Sequence, residues 1–219
     1  QAAMLAINGS VDAFTGLKCI ESAGHYVGKN FSVQANMMLN DKVIPSMKKA
    51  FLENSKLPLA ERIIKVFEAA ESVGGDIRGK QSAALIVVGS KKTDDIWKDK
   101  KIDLRVDDSE NPVKEIKRLL KVHRAYEHMN NGDLAIEENN MEAALKEYSK
   151  AQNLFPENVE MSFWKAVTMI NNNKIEDAKL ILKKVFQKNN NWRTLIFRLV
   201  DSELISMEKA ELEKLLNDI

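Results

Sequence analysis

The hydrophobic positions of the 219-residue chain change period part-way along it. Residues 2–7 and 10–15 are short β-compatible runs joined by Asn8-Gly9. That pair suits a type I′ turn, in which both central positions need positive φ. A hairpin is predicted there, with residues 31–38 as a third strand. Two helices follow. Val43, Met47 and Phe51 recur at i, i+4, and Pro45 falls early enough in the first turns to be tolerated. Pro58 opens the second helix, whose stripe of Leu59, Ile63, Val66, Phe67 and Ala70 is stopped by Gly74-Gly75. Residues 82–88 are a continuous apolar run, which predicts a strand buried on both faces. Residues 102–107 alternate strictly and so present one polar side. The predicted order is β-β-β-α-α-β-β, with the charged stretch 91–101 as a solvated hairpin loop. Beyond Asn111-Pro112 the spacing is helical throughout. Val113, Ile116, Leu119, Leu120, His123 and Tyr126 predict a first helix reaching about Met129.

The helices that come next contain a repeat. Ala144, Tyr148, Ala151 and Pro156 recur 34 residues later as Ala178, Leu182, Val185 and Asn190, and that is the tetratricopeptide period. Gly132 precedes Ala144 by the same interval as Ala166 precedes Ala178. Small residues at such positions let paired helices approach closely. The stretch resembles tetratricopeptide repeats, except that Asn131 and Ala135 stand where bulky residues are usual. A third hairpin begins at Trp192, and residues 207–216 cap it. The predicted division is residues 1–110, a bridging helix over 111–130, and a helical domain over 131–219. The helical domain offers either a concave face for a peptide or protein partner, or a structural appendix or dimer contact.

Composition sets limits. With 44% apolar and 30% charged residues the chain can build real cores. Lys+Arg and Asp+Glu number 33 and 32, a balance that argues against a nucleic-acid partner. The balance hides a split. Residues 1–124 hold 21 basic and 16 acidic side chains, and residues 125–219 hold 12 and 16. The one cysteine, Cys19, excludes an internal disulfide framework and a cysteine-built zinc site. No apolar run approaches the ~18 residues of a membrane span. No metal and no cofactor is expected. His123 and His128, five apart, do not share a helix face, and Asp94, Asp95 and Asp99 lack the spacing of a calcium loop.

Several strings in the first half occur together: Ala13-Phe14-Thr15-Gly16, Cys19, Ala23-Gly24-His25, Gln34-Ala35-Asn36-Met37, the segment 74–85 from Gly74-Gly75-Asp76 onward, and Asp103 to Asp108. Together they resemble an uncharacterised, mainly prokaryotic family of unknown function with an N-terminal-nucleophile (Ntn) hydrolase fold, over roughly residues 1–124. The resemblance implies an α+β protein: part of an αββα Ntn-hydrolase-like sandwich followed by the all-α tetratricopeptide-like domain. It implies amide-bond hydrolysis of a small or peptidic substrate when the domain is complete. Two departures stand out. Ala35 replaces a usual glycine, and the family's first strands are missing. An Ntn hydrolase attacks through the side chain of its first residue, a Thr, Ser or Cys, and Gln1 is none of these. The expectation is therefore that another segment or a partner chain completes the sandwich, since half a sandwich leaves open sheet edges, and that the protein is a homo-oligomer. The rival expectation is a non-catalytic scaffold that binds through its helical repeats.

Candidate site residues follow from residue type and placement. Gly75, Asp76, Arg78, Gln81 and Ser82 lie on a glycine-rich turn into a strand, where backbone N–H groups can face an oxyanion and Arg78 can fork onto a carboxylate. A plain loop in which Asp76 and Arg78 pair with each other is the competing reading. Gln34 and Asn36, two apart on a strand, place two amides on one side. His25, in a predicted loop between glycines, is a candidate base or ligand. Arg105 and Asp107 sit on the polar side of the alternating strand.

Overall fold

The computed structural model describes every residue except Asp218. The chain divides into two compact units, residues 1–120 and 121–219, and the boundary falls inside one long helix.

The first unit opens with the predicted hairpin, β1 (Ala2–Leu5) antiparallel to β2 (Val11–Phe14), Leu5 opposite Val11. Its turn is not type I′. Gly9 has φ +86°, whereas Asn8 is not left-handed. Ala6 N–H donates to Ser10 C=O (2.8 Å) and Gly9 N–H to Ala6 C=O (2.9 Å), so three residues form the loop. The Asn8 carboxamide accepts from Ser10 N–H (2.9 Å), a local side-chain turn of the kind asparagine favours. A second hairpin, β3 (Gly24–Gly28) with β4 (Phe31–Ala35), places His25 opposite Gln34. The pattern predicted no β3, because two glycines bracket only three residues. His25 therefore lies on a strand and not in a loop. The expected strand over 31–38 ends at Ala35, and Met37 turns to φ +62°.

Helices α1 (Val43–Glu53) and α2 (Leu59–Ser72) follow as their apolar stripes require. Phe31 stacks on Phe51 (4.2 Å between centroids), pinning β4 to α1, and Arg62 Nε donates to Phe51 C=O (2.6 Å), pinning α2. The third hairpin pairs β5 (Ala83–Val88) with β6 (Lys100–Val106). A short helix, α3 (Ile96–Asp99), interrupts the loop between them. Among the described residues the strands form three two-stranded sheets. The core of this unit sets Leu85, Ile102 and Val106 against Ala60 and Ile64 of α2 and against Ile116 and Leu120. The alternate residues of β5 turn outward, and Ile86 is 47% and Val88 63% exposed. The run 82–88 is thus covered on one face only, contrary to the expectation of burial on both.

Helix α4 (Pro112–Glu137) carries Ile116 and Leu120 and continues past the expected end near Met129. Nothing between 129 and 137 breaks it, and Gly132 is accommodated because the Tyr148 ring lies against its backbone. The second unit continues with α5 (Met141–Leu154), α6 (Val159–Asn171), α7 (Ile175–Lys188), α8 (Asn191–Asp201) and α9 (Lys209–Leu216). Asn140 and Asn158 cap α5 and α6, each side chain accepting a first-turn N–H at 3.1 Å. Ala144, Tyr148 and Ala151, and 34 residues later Ala178, Leu182 and Val185, are all buried. The sequence repeat is a repeat of buried positions.

Candidate functional site

The turn after α2 is tied to the strand end of β4 by a short backbone ladder. Leu39 N–H donates to Gly75 C=O and Ile77 N–H to Met37 C=O, both 2.9 Å, so Asp76 faces Met38. Gly74 (φ +119°) makes this possible, since a Cβ there would lie 2.7 Å from the Leu39 side chain. Beside this ladder a cavity of about 910 Å³ opens within the first unit. Gln34, Asn36, Gly75, Asp76, Arg78, Gln81 and Ser82 all line it. Seven of the ten residues singled out from sequence therefore line one cavity. Val43, Met47, Phe67 and Val113 supply an apolar floor.

Its polar groups divide into two kinds. Arg78 forks onto Asp76, with Nε to Oδ1 at 3.0 Å and the terminal nitrogen to Oδ2 at 2.7 Å. The Arg78 hydrogen bonds hold the Asp76 carboxyl below its ordinary range and raise the guanidinium. Lys80 meets Glu71 at 3.2 Å. In each pair the two charges face each other. The amides differ. Gln34 Nε2 donates to Ser32 Oγ (2.5 Å), but Asn36 Oδ1 is shut off from solvent and has no hydrogen-bond partner among the described residues. An unpaired buried acceptor costs ~1–3 kcal/mol.

The glycine-rich turn does not present the expected row of free donors. Gly74 N–H is engaged by Glu71 C=O, Gly75 by Ala70, Gly79 by Asp76, and Arg78 by the Asp76 carboxylate.

Three candidates lie elsewhere. Arg105 is exposed and donates through Nε to Asp103 (3.3 Å). Asp107 is exposed beyond the end of β6. His25 meets Thr15, Nδ1 to Oγ1 at 2.8 Å, and lines a second, smaller cavity. Two residues escaped the sequence reading. Gln1 lines the large cavity, and its Nε2 lies within hydrogen-bond distance of Thr15 Oγ1 (2.9 Å), Gly24 C=O (2.9 Å) and Ala35 C=O (3.1 Å). Thr15 was legible only as part of a family string. Among the described residues no group of three or more His, Cys, Asp or Glu is placed to hold a metal ion, and no helix is long and apolar enough to cross a membrane.

The segment that builds this cavity is the one that matches known sequences. A family model described as a family of unknown function (DUF1028) matches residues 1–116, more than half of the chain. The chain belongs to that family. A tetratricopeptide repeat model matches residues 135–200, so the DUF1028 half is followed by a tetratricopeptide-like region. Among solved structures, the DUF1028 protein SPO2555 from Silicibacter pomeroyi is 25% identical, with 54% of this chain and 49% of that one covered and a TM-score of 0.46. The chain thus spans about half the length of that relative. No curated protein matches.

Proposed function

We propose that the DUF1028 half binds a small peptidic or otherwise amide-bearing molecule in the 910 Å³ cavity, and that the complete protein hydrolyses an amide bond there, as an Ntn-hydrolase-like fold would. One observation carries the reading: Gln34, Asn36, Gln81 and Ser82 gather in one cavity with the apolar side chains of Val43, Met47, Phe67 and Val113. Such walls, mostly apolar with a few placed polar groups, are typical of small-molecule sites. The outward apolar face of β5 and the exposed Met4 and Phe14 on the first hairpin support a further part of it. Another segment or a partner chain covers these faces and completes the sandwich, in a homo-oligomer. Calorimetric titration with N-acylated amino acids and dipeptides tests the binding step. A ligand of millimolar or better affinity, weakened ~10-fold by Asn36→Ala, is expected, since one lost hydrogen bond is worth ~1–1.5 kcal/mol. A panel giving no binding at ~5 mM overturns the reading.

The tetratricopeptide match favours a second role, in which residues 135–200 engage a protein or peptide partner. It predicts that a partner captured by the full chain is lost on substitutions in α5–α8 and retained on substitution of Asn36.

A further inference from the structure

The loop joining β5 to β6 spends most of its acidic side chains on itself and leaves basic and apolar ones outside. Residues 91–101 carry five lysines and three aspartates. Asp99 Oδ1 accepts from Thr93 N–H (2.8 Å) and lies 2.9 Å from Thr93 Oγ1. Asp99 C=O accepts from Gly89 N–H (2.7 Å), which closes the base of the loop. The Asp95 carboxylate pairs with Lys98, and Asp95 C=O accepts Lys98 N–H (2.8 Å). Lys100 is held by Asp103 of β6 (2.7 Å). The side chains of Lys91, Lys92 and Lys101 are exposed and make no ion pair or hydrogen bond among the described residues. Three free ammonium groups thus stand against one free carboxylate, that of the exposed Asp94.

The same loop holds two large apolar side chains in solvent. Ile96 and Trp97 of α3 are each 73% exposed. One exposed apolar residue is ordinary. Here two neighbours stand in a loop fixed by its own hydrogen bonds, within five positions of every free lysine. Tryptophan beside lysine suits the headgroup level of a bilayer, where the indole meets acyl chains on one side and water on the other. Ammonium groups at that level face lipid phosphates. Ile96 weighs against a nucleic-acid strand, because an aliphatic side chain offers no face for base stacking but gains from burial among acyl chains.

We infer that the β5–β6 loop docks on an anionic lipid surface, with Ile96 and Trp97 entering the headgroup region and Lys91, Lys92 and Lys101 meeting its phosphates. The charge complementarity selects acidic lipids, and the indole supplies the apolar part of the contact. One loop of this size gives reversible attachment, as a single acyl chain does. The inference is independent of the large cavity, which none of these five residues lines.

The test mixes the full chain with vesicles of phosphatidylcholine, alone or with an equal share of phosphatidylglycerol, at ~0.1 M salt. Sedimentation measures binding, and brominated acyl chains report tryptophan contact by quenching its fluorescence. Binding to the anionic vesicles, weak binding to the neutral ones, and quenching are expected. Trp164 and Trp192 pack against the core of the helical unit, so the quenching should vanish in Trp97→Ala. Lys91→Gln, Lys92→Gln and Lys101→Gln together should lower the partition coefficient ~100-fold, about five-fold for each lysine near an anionic surface. Trp97→Ala should lower it ~10-fold or more, and Trp97→Phe less than that. No binding at ~5 mM lipid, equal binding to both kinds of vesicle, or binding without quenching overturns the inference. Two further results would also overturn it. An oligomer that Trp97→Ala dissociates, with vesicles left unbound, assigns the loop to a second copy. A single-stranded oligonucleotide held through the same lysines, with vesicles left unbound, assigns it to nucleic acid.

Discussion

Gly132 shows how one residue sets the geometry of the helical half. It sits inside α4, where a glycine weakens a helix by ~1 kcal/mol relative to alanine. The reason it is there is the Tyr148 ring: a Cβ at 132 would lie 2.4 Å from its Cε1 and under 3 Å from two more ring atoms. The ring cannot withdraw easily, because Tyr148 is buried and its hydroxyl donates to Asp133 Oδ1 at 2.6 Å. Burial and the Asp133 carboxylate both push the phenol pKa far up, so it stays a donor at any ordinary pH. Two effects of opposite sign thus compete at position 132, and overpacking in a tight core costs ~1–3 kcal/mol. Gly132→Ala is expected to lower the stability of the helical half by ~1–2 kcal/mol, despite its better helix propensity. Urea unfolding followed by circular dichroism at helical wavelengths measures it. A gain in midpoint would show that the ring moves aside at no cost.

Strand β5 makes the corresponding point at the level of elements. Leu85 is 2% exposed within the core of the first unit, and its neighbour Ile86 is 47% exposed. Leu85→Ala is expected to cost ~2–5 kcal/mol and, with the outer face of β5 covered in the assembly as proposed, Ile86→Ala a comparable amount, read from denaturant midpoints of the full chain. A loss below ~1 kcal/mol for Ile86→Ala would mean that the outer face of β5 is open in solution. The contrast also marks what could be read from the chain. An apolar run without alternation says that every side chain can be buried, but a strand with one partner, β6, and helices on one face buries alternate residues only. Periodicity likewise located α1 and α2 and the 34-residue repeat, because each depends on spacing within one segment. It missed β3, which is three residues between glycines and is stabilised by pairing to β4. At the site, the segments 34–36 and 75–82 were legible as polar groups near glycines, and the cavity gathers them. The contact between Gln1 and Thr15 depends on a chain crossing that no local pattern encodes.

At the scale of the whole molecule the two units differ in charge, in secondary structure and in how their cores are built. The first unit's core joins strand residues such as Leu85 and Ile102 to α2 and the start of α4, contacts distant in sequence. The second is built from neighbouring helices, with one cluster around Tyr148, Ala144 and Met161 and another around Phe163, Leu182 and Leu212. Repeat architectures of that kind gain stability from nearest-neighbour helix contacts. Each unit should therefore have its own opening reaction, visible in the exchange of its slowest backbone amides. Leu182 is fully buried in the second unit, and truncating a buried leucine costs ~2–5 kcal/mol. Leu182→Ala should speed the slowest exchange in α6–α8 by ~30-fold or more, while the protected amides of β5, β6 and α2 keep their wild-type rates. Leu85→Ala should do the reverse. Hydrogen-exchange mass spectrometry of the two full-length variants resolves both regions in one experiment. Equal acceleration in both regions from either substitution would mean that the chain opens as one cooperative body, in which the helical repeats hold the DUF1028 half folded as well as carrying any partner.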